Sequence, residues 1–120
     1  TDSVKSYVLL PAGDEKAMAK TLVDVGPLSV GVDANTDWQL YHKGIYNPNE
    51  KQCGRSMMDQ DHGVVIVGYG TDDKTGIKYW TIRNSWGKDW GEKGYIRLAR
   101  GNNACGVANT VVYPVLKTNR

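Results

Sequence analysis

The stretch from Gly63 to Arg83 constrains this chain more than any other. Val64-Val65-Ile66-Val67 is a continuous apolar run, followed by Gly68 and Tyr69. Asp72-Asp73-Lys74-Thr75-Gly76 is a turn cluster, and Ile77-Lys78-Tyr79-Trp80-Thr81-Ile82-Arg83 alternates and is rich in β-forming residues. Two β-prone runs around such a turn predict an antiparallel hairpin. Gly94–Arg100 alternates again, Val111-Val112-Tyr113 reads as a last short strand, and Leu28–Val32 as an earlier one. Residues 1–13 read as extended, ending at Pro11.

One helix interrupts the β pattern. Asp14 precedes Glu15-Lys16-Ala17-Met18-Ala19-Lys20-Thr21-Leu22-Val23, an acceptor followed by an acidic first turn and good helix formers. Ala17, Met18, Thr21, Leu22 and Val25 are expected to form its apolar stripe, and Gly26-Pro27 to stop it. Residues 33–61 are polar and broken by Gly44, Pro48 and Gly54, with one helical turn expected at Trp38–Tyr41. The expected class is α+β, mainly antiparallel β, in a single domain spanning residues 1–120.

Composition narrows the partners. With 15 basic and 13 acidic residues the net charge is +2, so no basic excess points to nucleic acid. No apolar run approaches the roughly 18 residues of a membrane span. The 14 glycines, 4 Trp and 7 Tyr, with no Phe, suit tight turns between strands. Neither Cys53 nor Cys105 sits in a zinc-binding spacing, which leaves two thiols or one disulfide open at this point. No metal or cofactor is expected.

Two histidines offer chemistry. His42 stands between Tyr41 and Lys43 in the polar stretch and reads as solvated. His62 stands at the mouth of the most apolar strand, between Asp61 and Gly63. Asn84-Ser85-Trp86-Gly87 ends the second arm of the hairpin. His62 and Asn84 each lie about a dozen residues from the turn, so pairing brings them side by side. An amide oxygen beside an imidazole can set its tautomer and orientation. Trp86 can then keep water off the pair.

These residues carry a resemblance. Asp61-His62-Gly63-Val64-Val65-Ile66-Val67-Gly68-Tyr69-Gly70 resembles the histidine segment of papain-like cysteine proteases. Tyr79–Tyr95, with Arg83-Asn84-Ser85-Trp86-Gly87 and Trp90-Gly91, resembles their asparagine segment. Val25–Val30, Gly44-Ile45-Tyr46 and Cys105-Gly106-Val107-Ala108 match as well, and the cathepsin L-like subgroup is the most similar. The resemblance implies the β-rich, barrel-like right-hand domain of that fold, with one N-terminal helix. It implies His62 as the base, Asn84 as its orienter, and Trp86 as shield and part of the primed-side wall. Gln60, with Gly31, Asp61, Gly63 and Thr110, matches the main specificity pocket. It also implies a Cys53–Cys105 disulfide, which would close a loop of about 50 residues and contribute roughly 4 kcal/mol.

One departure matters. The family's nucleophile sits in a Cys-Gly-Ser-Cys-Trp type segment, more than about a hundred residues upstream of the histidine. Here 61 residues precede His62, and none of Gln39, Gln52 and Gln60 lies in the context of the oxyanion glutamine. The chain also lacks an initiator Met. The expectation is a C-terminal portion, half an active site and inactive by itself. Its implied partners are the N-terminal half with the nucleophilic cysteine, peptide or protein substrates, and propeptide or cystatin-type inhibitors. Its implied setting is lysosomal, vacuolar or secreted. A non-catalytic relative serving a structural or inhibitor-binding role is the alternative. The His62 face is expected to leave apolar surface uncovered, Val64 and Val65 included.

Overall fold

A computed structural model describes residues 4–49 and 51–116. The expected hairpin is its centre. β4 (His62–Thr71) pairs antiparallel with β5 (Lys78–Arg83), Ile66 opposite Ile82 and Val65 opposite Arg83. The turn closes as expected: Asp72 accepts from the backbone N–H and hydroxyl of Thr75 at 2.8 and 2.7 Å, and Gly76 takes a φ of 75° that favours glycine. The register slips by one residue between Ile66 and Gly68, a bulge that strengthens the local twist.

Around the hairpin stand β1 (Val4–Leu9), β2 (Leu28–Val32), β3 (Ile45–Tyr46), β6 (Tyr95–Ala99) and β7 (Val111–Leu116). They form one seven-stranded sheet in the order β1-β7-β2-β4-β5-β6-β3. All pairings are antiparallel except β3 with β6. The α+β, mainly antiparallel class is therefore the one observed. The sheet's buried face carries Leu28, Val30, Val32, Val64, Ile66, Trp80, Ile82, Ile96 and Leu98, alternating with more exposed neighbours as half-buried strands must.

Helix α1 (Glu15–Asp24) packs Met18 and Leu22 against that face. The Asp14 carboxylate caps it through the Ala17 N–H at 3.0 Å. Glu15 does more than favour the first turn. Its two oxygens accept from Trp80 Nε1 at 2.8 Å, Gly101 N–H at 3.0 Å and Asn103 N–H at 2.9 Å, tying the helix to β5 and the loop after β6.

Three expectations change. Val25 is 53% exposed, outside the stripe, because the helix ends at Asp24 and the Val25 N–H closes on Thr21 oxygen. Val64 is only 5% exposed: it points into the core of this chain and needs no other body to cover it, while Val65 is half-buried. The stretch 33–61 holds more structure than its composition suggests. α2 (Thr36–Leu40) starts early because the Asn35 side chain caps it at the Trp38 N–H, and β3 adds an edge to the sheet.

Cys53 and Cys105 are joined by a disulfide with their Cα atoms 4.9 Å apart. It pins the loop after β3 to the 3₁₀ turn Ala104–Gly106, and both cysteines are buried.

Candidate active site

His62 is delivered by the start of β4. Just before it, the Asp61 N–H donates to Val32 oxygen at 3.0 Å, and the Asp61 carboxylate accepts the Ala34 N–H at 3.0 Å. These two bonds and the Val32–His62 pairing fix the entry of β4 against the end of β2. Asn84 comes from the residue after β5, its N–H donating to Gly94 oxygen at 3.0 Å. With Val65 opposite Arg83, the chain ends of the hairpin converge, and His62 Nε2 lies 2.7 Å from Asn84 Oδ1.

The same Oδ1 accepts the Ser85 N–H at 2.7 Å, so this atom is the amide oxygen and not the nitrogen. An amide oxygen can only accept, so Nε2 carries a proton. In the neutral ring Nδ1 then holds the free lone pair. Asn84 is 7% exposed, so water competes little for the bond. Its Nδ2 is buried without a partner among the described residues.

Trp86 stacks on His62 with ring centroids 5.1 Å apart and planes 28° from parallel. Trp86 itself is 38% exposed, and a chain of rings behind it gives it support. It meets Trp90 edge-on at 5.2 Å, and Trp90 stacks on the fully buried Trp38 at 6.1 Å. The Trp90 indole N–H also donates to Trp38 oxygen at 2.6 Å. The loop carrying Trp86 and Trp90 needs Gly91 in particular: a Cβ there would lie 2.6 Å from Tyr95 oxygen and 3.0 Å from the Tyr41 ring. Sequence reasoning noted Trp90 but missed its role and that of Trp38. The two meet across 52 positions of sequence, which no local pattern announces.

A bidentate pair braces this loop. Glu92 accepts from Arg97 Nε and Nη2, both at 2.8 Å, and from the Gly44 N–H at 3.1 Å. The Arg97 bonds hold the Glu92 carboxyl below its ordinary value of 4.5, against the opposing cost of burial. Burial likewise pushes the Tyr41 hydroxyl up, and lifts Tyr46 to about 12.

Gly31, Gln60, Asp61, His62, Gly63 and Thr110 line one cleft of about 430 Å³. Ser29, Val30 and Val112 join them; the sequence reading had placed these three on strands and not in the pocket. Gln60 spans part of the cleft, its side-chain N–H₂ donating to Gly106 oxygen. A Cβ at Gly106 would sit 2.7 Å from that nitrogen, so glycine is what leaves room for the Gln60 amide. The Thr110 hydroxyl lies 3.5 Å from Met57 Sδ at the cleft's rim. Both sulfurs of the chain's two cysteines are bonded to each other, and neither is a thiolate. His42 is exposed and has no part in this arrangement.

An imidazole with a fixed tautomer, a dry orienting bond and a cleft alongside form a set that can move a proton to and from a group held in that cleft. Comparison with known proteins bears on the family of the chain. The profile of the family described as "Papain family cysteine protease" matches residues 1–115. Cathepsin L of Sarcophaga peregrina is 47% identical over 112 residues, covering 92% of this chain and 32% of that protein. The structure of digestive procathepsin L 3 of Tenebrio molitor larval midgut superposes with a TM-score of 0.85 at 41% identity, covering 93% of this chain and 35% of that one. The bromelain protease of Ananas comosus, solved with the E64 inhibitor, gives 0.82 at 40% identity over 95% of this chain and 51% of that chain. The chain spans about a third of the length of the curated relatives it matches.

Proposed function

The chain belongs to the papain family of cysteine proteases, and from that premise we propose that it supplies the general base, the orienting amide and the shield of a thiol endopeptidase site. The nucleophilic cysteine and the oxyanion glutamine belong, in this reading, to an N-terminal half joined to this one. The observation that carries it is the 2.7 Å contact between His62 Nε2 and Asn84 Oδ1 beneath Trp86.

Each step then has an owner. The thiol of the partner half gives its proton to His62 Nδ1, leaving a thiolate beside an imidazolium, the form in which a cysteine attacks at neutral or acidic pH. Asn84 Oδ1 accepts from Nε2–H throughout, so the ring keeps its orientation as Nδ1 gains and loses its proton. The thiolate adds to the peptide carbonyl carbon. When the C–N bond breaks, the leaving amine takes the proton from Nδ1. A water then attacks the thioester, His62 takes one of its protons, and the acid leaves as the thiol re-forms. The cleft of Gly31, Gln60, Asp61, Gly63 and Thr110 holds a substrate side chain next to the scissile bond, and Trp86 walls the leaving side. Propeptide and cystatin-type inhibitors would occupy the same groove. A disulfide-stabilised chain of this kind suits a lysosomal, vacuolar or secreted setting.

The test uses a fluorogenic dipeptidyl substrate under mildly acidic, mildly reducing conditions. The 120-residue chain alone is expected to show no turnover, and the complete protein to cleave it and lose activity on His62→Ala. Undiminished cleavage by the His62→Ala enzyme would end this reading.

A further inference from the structure

A second cleft, of about 440 Å³, is lined by Arg83, Asn84, Ser85, Lys88, Lys93 and Tyr95 among others. Three of its lining residues are cationic and none is acidic. The ion pairs among the described residues are Lys20 with Asp24 and Arg97 with Glu92, so Arg83, Lys88 and Lys93 take part in neither. Arg83 makes no side-chain hydrogen bond among those residues. Asn84, in the wall, carries the buried Nδ2 that lacks an acceptor.

This cleft is linked to the site through shared lining residues. Arg83, Asn84 and Ser85 also line a neighbouring cavity of about 260 Å³ that runs to Gly63, and Gly63 lines the cleft that holds His62. A body that covers the His62 cleft and this cavity together therefore reaches Arg83, which lines both the cavity and the cationic cleft.

We infer that the cleft of Arg83, Lys88 and Lys93 receives an acidic side chain of the half that carries the nucleophile. The inference rests on the functional reading above, which requires that half. In water, three exposed cations cost little. Covered by another domain they lose their solvent, and a desolvated charge left unpaired strongly opposes the contact. A covering surface without a carboxylate would be repelled; one with a carboxylate aligns the two halves as it neutralises them. Arg83 is the natural anchor, because its planar guanidinium can grip a carboxylate through two parallel hydrogen bonds. The contact would set the distance between the thiolate and His62 without touching the substrate, so Arg83 would be a positioning residue.

The experiment uses the complete protein with three changes: Arg83→Glu, the pair Lys88→Glu and Lys93→Glu, and Lys74→Glu in the exposed β4–β5 turn as control. Three readouts are taken: kcat/KM, the rate of active-site alkylation by iodoacetamide, and the urea midpoint. Arg83→Glu is expected to lower kcat/KM about tenfold or more, through kcat more than KM, the scale set by truncating a close interdomain charge pair. Alkylation should slow in parallel and the midpoint should fall. Arg83→Lys should keep most of the activity, and reversal of one carboxylate on the partner half to Lys should restore the Arg83→Glu enzyme. Arg83→Glu and the paired lysine variant behaving like Lys74→Glu in all three readouts would overturn the inference, even if the cleft binds sulfate in solution. Failure of the functional reading looks different: no alkylation and no turnover in the wild type. The urea midpoints of the same variants still report the docking contact in that case.

Discussion

At the scale of single residues, Asn84 does two things with one atom. Its Oδ1 accepts the Ser85 N–H, which holds the side chain, and the His62 Nε2–H, which holds the ring. Hydrogen bonds to a charged partner contribute about 1.5–3 kcal/mol, so, on the proposed reading, Asn84→Ala in the protein joined to its nucleophile-bearing half is expected to lower kcat roughly 10- to 100-fold with a smaller change in KM. Asn84→Asp separates orientation from mere packing. A carboxylate at Oδ1 favours the imidazolium, so the histidine titrates at higher pH and the alkaline limb of the kcat/KM profile moves up. An alkaline limb that stays in place in the Asp variant would mean that this side chain does not touch the reacting ring.

At the scale of elements, the β3–β6 contact and the loop after Asn84 are coupled through Glu92. Its carboxylate holds Arg97 on β6 and the Gly44 N–H just before β3, beside the Trp90 that backs Trp86. Because Arg97 depresses the Glu92 pKa in the folded chain, the pair's stabilisation is present above the unfolded value, near 4.5, and lost as pH falls through the lower folded value. Urea midpoints measured from neutral pH to below that range should fall for the wild type. Glu92→Gln should start lower at neutral pH and fall less steeply. Parallel curves for the two proteins would show that this carboxylate does not govern acid sensitivity. On the proposed reading the loop would matter for catalysis, because its loosening would uncover the His62–Asn84 bond.

At the scale of the whole molecule, the disulfide spans 52 positions and ties the loop after β3 to the turn before β7. Closing a loop of that size removes about 4 kcal/mol of unfolded-state freedom. Reduction should therefore lower the free energy of unfolding by that order, read from urea titrations with and without reductant. Peptide mapping without reductant should recover Cys53 and Cys105 joined. Free thiols that alkylate in the native protein would contradict the pairing. The same bond occupies both sulfurs of the chain's two cysteines, which is why the proposed reading assigns the nucleophile to another half.

Local chemistry sufficed wherever the signal was periodic or short in range. The apolar run Val64–Val67, the turn at Asp72–Gly76 and the alternation of Lys78–Arg83 determine the hairpin, and the hairpin puts His62 beside Asn84. Asp14 before a run of helix formers determines where α1 begins. The two cysteines stayed ambiguous from spacing alone, and only the resemblance implied their bond. Val25 and Val64 were misplaced because burial depends on where a neighbouring element ends or lies, not on a residue's own polarity. Long-range pairing was illegible for the same reason. Nothing near Ile45 states that it will lie parallel to Arg97, and nothing near Glu15 states that Trp80 will donate to it. Those neighbours are chosen by the closing of the sheet, which brings together residues that the chain itself keeps far apart.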